Sequence, residues 1–192
     1  SGSKTPSTTC DSNEQTAVFS SGAQNGGNEQ NHRKEIKMDW YRHENKRQVR
    51  INRQGEMVFL TFPILERQEW VNHLFTTRMG GVSEGIYSSM NLSYTRGDRK
   101  EAVDENYRRV ADALHCCVED IVCSDQTHTT NLRVVGRADG GKGIIRRRNY
   151  TDVDGLLTDE PGVYLAAFFA DCVPLYFVDT KRHAVALAHS GW

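Results

Sequence analysis

Three short stretches place histidine, cysteine and acid where an apolar run ends. They are Cys123-Ser124-Asp125-Gln126-Thr127-His128-Thr129-Thr130, Ala170-Asp171-Cys172-Val173-Pro174 and Ala188-His189-Ser190-Gly191-Trp192. Each delivers a His or Cys at the junction of a strand and a loop, where rigid scaffolds place chemistry. Two imidazoles and one thiolate suit Zn²⁺, and three protein ligands leave a fourth position open, the catalytic rather than the structural pattern. The same residues also suit a Cys–His dyad in which His189 lowers the thiol pKa of Cys172. Spacing alone equally allows an inert core thiol and surface histidines, because the three stretches lie far apart in the chain.

Other motifs read more plainly. Residues 136–143 (GRADGGKG) almost spell a phosphate loop, G-x-x-x-x-G-K, but Gly143 stands where Ser or Thr must bind Mg²⁺. IIRRRNY follows, rather than a helix whose N-terminus could hold phosphate; a surface hairpin is the better reading. Arg146-Arg147-Arg148 reads as a solvated loop face in a chain that is otherwise not basic. His115-Cys116-Cys117 closes a helix, where a histidine suits the dipole and small thiols are ordinary packing residues.

The elements that must position these groups follow from periodicity. Residues 57–62 (MVFLTF) and 71–77 (VNHLFTT) read as strands. Residues 99–114 form the clear helix, with Val103, Tyr107, Val110 and Leu114 as one apolar stripe. Asp98 is its expected N-cap and Glu101 completes a capping box. Residues 121–127 and 132–135 read as a pair of strands, 136–150 as a loop, and 153–158, 164–170, 174–178 and 184–189 as four apolar strands joined by tight turns. Many strands and few helices in mixed order imply an α+β fold of mixed or antiparallel sheets.

Composition narrows the function classes. Lys and Arg number 24, Asp and Glu 25, for a net charge of −1; that balance argues against a nucleic-acid binder or a polybasic membrane anchor. Mean hydropathy is −0.62, and no run approaches the ~18 apolar residues of a membrane span. The start of the chain carries no apolar signal segment. Five cysteines in no ladder-like spacing fit a reducing cytoplasm. Residues 1–37 are rich in Ser, Thr, Asn, Gln and Gly, and their large apolar residues are Val18, Phe19 and Ile36. Such a segment buries too little to offset its ordering entropy, about 1–2 kcal/mol per residue. It is expected to be a disordered leader or tag-like tail, with residues 38–192 as the folded part and Met38 as a possible natural start.

Five longer motifs occur in order: FTTRMGGVSEGIYSSMNL (75–92), SDQTHTTN (124–131), DVDGLLTDEPG (152–162), FFADCVPLYFVD (168–179) and AHSGW (188–192). Together they resemble the YfiH/laccase-domain family, long labelled polyphenol oxidase and now regarded as purine nucleoside phosphorylases. The resemblance covers residues 38–192 almost throughout. It implies an α+β, YfiH-like fold of mixed sheets with flanking helices, likened to the cysteine-hydrolase toxins. It implies a zinc site on His128, Cys172 and His189, and phosphorolysis of adenosine, inosine, guanosine and methylthioadenosine, with adenosine deamination as a second activity. The metal would polarise phosphate, or activate water for deamination. The copper label fits poorly, because multi-copper oxidation needs several His-rich sites and the chain has seven histidines.

Within the motifs, Arg78 is the expected phosphate clamp, Asn91 a sugar or base contact, and Asp171 the acid that orients a ligand histidine. Expected partners are purine nucleosides and phosphate, in a cytoplasmic monomer or weak homo-oligomer. Two alternatives accompany this reading. One is a Cys–His amide hydrolase of cell-wall precursor quality control, acting through Cys172 and His189. The other is an inactive fragment: in the family the His-Ser-Gly-Trp run continues into Arg-Gly-Thr and further elements, so the C-terminal part of the catalytic domain is expected to lie beyond residue 192.

Overall fold

The computed structural model describes residues 15–21 and 48–191. In chain order they form β1 (Gln15–Ser21), β2 (Arg50–Gln54), β3 (Met57–Thr61), α1 (Pro63–Glu66), β4 (Val71–Thr76), α2 (Lys100–Leu114), β5 (Ile121–Cys123), β6 (Leu132–Val134), β7 (Gly155–Thr158), β8 (Tyr164–Phe169), β9 (Val173–Asp179) and β10 (Ala184–Ser190). Two sheets result, ordered β2-β3-β4-β1-β8-β5 and β6-β7-β10-β9. All neighbours are antiparallel except β5 with β8 and β6 with β7. This is the expected α+β arrangement of mixed sheets, with the sheets dominant. Among the described residues no helix is long and apolar enough to cross a membrane.

The helical stripe of α2 packs on one face of the six-stranded sheet. Val103, Tyr107, Val110 and Leu114 are buried there with Leu74, Ile121 and Ala166. The opposite face carries Phe19, Leu165, Ala167 and Phe169, which meet Leu156, Val185 and Leu187 of the second sheet. β8 is therefore covered on both sides, which is why YLAAFF is a continuous apolar run rather than an alternating one. Among the described residues, the second sheet is covered on one side only. Its register puts Val173, Leu175 and Phe177 of β9 on the same face as Leu132 and Val134 of β6, through Ala186 and Ala188 of β10 and Gly155 and Leu157 of β7. All five of these larger side chains are exposed.

Three expectations are corrected. The stretches around β5 and β6 do not pair with each other: β5 joins β8 in the first sheet and β6 joins β7 in the second. Parallel pairing needs partners far apart in sequence, which local periodicity does not report. The helix α2 begins without a side-chain cap, and its N-cap is Arg99. Asp98 is engaged instead by the Arg99 backbone N–H (2.8 Å) and the Asn91 amide (2.9 Å). Finally, part of the leader expected to be disordered is a strand. β1 lies between β4 and β8, and Val18 and Phe19, at 1% and 0% exposure, are among the most buried side chains. The rest of residues 1–37, Met38 included, lies outside the described residues.

Candidate metal centre

The two sheets bring the three histidine and cysteine stretches to one end of the molecule. His128 follows β5 in a loop, Cys172 lies in the turn from β8 to β9, and His189 sits near the end of β10. Their ligand atoms all lie within 4.8 Å of one another. Cys172 Sγ is 3.8 Å from His128 Nε2, and the two imidazoles meet edge to face with centroids 4.7 Å apart. Tetrahedral Zn²⁺ with bonds of about 2.0–2.3 Å separates a sulfur and a nitrogen ligand by roughly 3.6 Å, so this spacing fits a shared ion. Among the described residues no other group of three such side chains forms.

The other described histidines serve elsewhere. His73 accepts the Phe62 N–H (2.8 Å), His115 caps α2 in the left-handed region, and His183 stacks on Trp70. Among the described residues, copper clusters built from many imidazoles find no second set.

Local backbone geometry makes the approach possible. His128 is left-handed, at φ 64°, a conformation uncommon outside glycine. Gly191 passes so close to that ring that a Cβ would stand 2.9 Å from His128 Cδ2. The loop is tied to the segment before β7 by a two-way backbone bridge between Asp125 and Val153. Beside this bridge Asp154, 2% exposed, accepts from the His189 Nδ1 (2.8 Å) and from the backbone N–H groups of Thr127 (2.8 Å) and His128 (3.0 Å). Burial alone would raise its carboxyl pKa. Hydrogen bonds from Thr127, Thr129 and His189 outweigh burial and hold it below the usual carboxylate range, so it is a full acceptor at neutral pH. With Nδ1 held this way, Nε2 of His189 is the atom left to ligate.

The cluster lines a cleft of about 400 Å³, whose walls include Tyr94, Arg96, Gln126, Arg148 and Phe168. Gln126 is anchored: its amide brackets Phe168, donating to the carbonyl and accepting from the N–H at 2.6 and 2.7 Å, so it fixes the wall of the cleft. Arg148 is held by Asp125 (2.5 Å) and the Ser124 carbonyl (2.7 Å) where it lines the cleft. A family model described as multi-copper polyphenol oxidoreductase laccase matches residues 72–192.

The chain belongs to that family.

Its laccase domain is 43% identical over 118 residues to purine nucleoside phosphorylase YlmD of Geobacillus stearothermophilus, covering 61% of this chain and 43% of that one. The YlmD of Bacillus subtilis is 39% identical over 121 residues, 62% of this chain and 43% of the relative. Among solved structures, YlmD of Geobacillus stearothermophilus matches with a TM-score of 0.63 at 38% identity, over 74% of this chain and 52% of that one. The hypothetical protein YfiH of Bacillus licheniformis matches with 0.61 at 36%, over 72% and 51%. The chain thus spans less than half the length of the curated relatives it matches and about half of the solved ones.

Three expected site residues of the laccase domain stand elsewhere. Arg78 is exposed, and its Nε and Nη2 both donate to the Ser88 carbonyl; it is not in the cleft lining. The glycine turn that follows it in FTTRMGG is held by Arg109, whose Nη1 donates to the Gly80 carbonyl at 2.7 Å, and a Cβ on Gly80 (φ 84°) would strike the Met57 backbone. Asn91 is turned inward onto Ser93 and Asp98 and shapes the cleft wall from behind. Asp171 is exposed and left-handed at φ 69°, and the acid that meets the His189 ring is Asp154. Asp154 is the residue that sequence reasoning passed over, and Arg148, expected on a solvated loop face, lines the cleft. A visible signal existed for Asp154: an acid directly before the apolar GLLT strand.

Proposed function

We propose that this chain carries the metal-bearing part of a purine nucleoside phosphorylase, with His128, Cys172 and His189 holding Zn²⁺. The observation that carries the reading is the convergence of two imidazoles and one thiol at ligand spacing in a cleft, in a chain whose similar relatives are named for that activity. The donor set suits zinc, and three ligands leave a position for a reactant. When bound, the ion would supply Lewis acidity for an anionic oxygen.

The chain's own residues account for the rest of the site. Phosphorolysis joins a phosphate oxygen to the ribose carbon, while the glycosidic bond breaks and its electron pair leaves with the purine. Tyr94 and Phe168 offer aromatic surface for a base, and Arg96 and Arg148 offer positive charge to phosphate. Asp154 holds the proton on Nδ1 of His189. Adenosine deamination in the same cleft is the accompanying activity, and adenosine, inosine, guanosine and methylthioadenosine are the proposed substrates.

The test is metal analysis together with nucleoside turnover. The protein is expected to hold about one zinc and to convert inosine and phosphate to hypoxanthine and ribose 1-phosphate, with ammonia released from adenosine. Cys172→Ala should lose the zinc and at least 100-fold of the turnover. Zinc without turnover overturns the phosphorylase reading of these 192 residues and leaves the metal centre. A second reading draws on the 3.8 Å approach of Cys172 to His128, which makes His128 rather than His189 the nearer partner for a thiol dyad in an amide hydrolase. Phosphate dependence decides between them, since hydrolysis needs none.

A further inference from the structure

We infer that Asp154 is the positioning residue that assembles the centre, holding two of its three ligands at once from different parts of the chain. The inference rests on reading His128, Cys172 and His189 as a metal site. One carboxylate takes four hydrogen bonds. Oδ1 accepts from the Thr127 N–H (2.8 Å) and the Thr129 hydroxyl (3.3 Å). Oδ2 accepts from the His128 N–H (3.0 Å) and from His189 Nδ1 (2.8 Å). The backbone takes part too, for the His189 N–H donates to the Asp154 carbonyl at 2.8 Å. His189 is therefore fixed at its main chain and at its ring by the same residue.

The consequences differ for the two ligands. For His189, whose side chain is 4% exposed, a carboxylate oxygen 2.8 Å from Nδ1 selects the Nδ1–H tautomer and leaves the Nε2 lone pair free. For His128 the control is of the backbone. Its left-handed conformation (φ 64°) is unfavourable for a residue with a Cβ, and it persists where surrounding bonds over-determine it. Two successive N–H groups, Thr127 and His128, converge on the carboxylate and supply that constraint. Asp171 can do neither, being exposed beside Cys172. An amide at position 154 offers one acceptor oxygen in place of two, so Asp154→Asn breaks the arrangement with little change of shape.

The test reads tautomer and metal affinity separately. In metal-free wild-type protein, side-chain ¹⁵N–¹H spectra should show His189 as the Nδ1–H tautomer. Asp154→Asn should lose that preference and bind Zn²⁺ 10–100-fold more weakly by competition with a chromophoric chelator, with the far-UV circular dichroism of the wild type. A wild-type His189 found as the Nε2–H tautomer overturns the assignment whether or not the variant folds. So does a folded Asp154→Asn protein with wild-type zinc affinity. A wild type with the Nδ1–H tautomer but no zinc binding overturns the metal reading and leaves the clamp in place.

Discussion

His73 shows how one buried ring can set the acid limit of the molecule. It lies in β4 opposite Phe19, stacks on Phe62 and accepts that residue's N–H at Nε2. Burial pulls its pKa from 6.5 to about 4, with Glu66 pulling weakly the other way. The folded protein therefore binds fewer protons than the unfolded chain between these values, so falling pH favours unfolding. The loss begins as pH drops through 6.5 and is complete below about 4. Between pH 7.5 and pH 5 it amounts to about 2 kcal/mol. Urea midpoints at the two pH values should show it, and His73→Gln, which keeps an acceptor, should remove most of the difference. Equal pH dependence in the two proteins would count against this account.

At the scale of elements, α2 holds the long glycine-containing loop before it through Arg109, which donates to the Gly80 carbonyl at 2.7 Å, and most extensively through Asn106. Asn106 is fully buried; it accepts the Val82 N–H and donates to Ser83 Oγ and to the carbonyls of Ser89 and Asn91. Asn106→Ala strands those groups away from water and should cost about 3 kcal/mol. The melting point should fall, and proteolysis should begin between residues 82 and 91; cleavage elsewhere first would contradict that. The helix itself was legible in the sequence because its stripe of Val103, Tyr107, Val110 and Leu114 is a local pattern. So were β3, β4, the two strands that flank the Cys172 turn, and the strand that carries His189. The partners of β5 and β6 were not, because Cys123 meets Ala166 and the intervening residues carry no sign of it. The trio of His128, Cys172 and His189 was visible as residue types and was read as a candidate site through resemblance. Its positioning acid was hidden because Asp154 and Asp171 look alike in sequence, and burial among N–H donors is what separates them.

At the scale of the molecule, two features bear on how these residues exist in solution. One is the uncovered side of the second sheet, where Leu132, Val134, Val173, Leu175 and Phe177 face outward; a bare apolar surface of this kind favours contact with other surfaces. The other is β1. It pairs with β4 over five positions and with β8 over six, while 28 residues separate its last residue, Ser21, from Arg50 at the start of β2. A chain shortened to begin at Met38 would lose the middle strand of the first sheet and leave β4 and β8 facing across a slot about 10 Å wide, two strand spacings. Removal of Phe19 alone should cost about 3–5 kcal/mol, so the shortened chain should show no cooperative melt. A synthetic peptide spanning Gln15–Ser21 should restore one in proportion to its concentration. A shortened chain that melts like the parent would remove β1 from the account. If complementation succeeds, the domain becomes a split protein whose assembly can be switched on by seven added residues, with the return of cooperative melting as the signal.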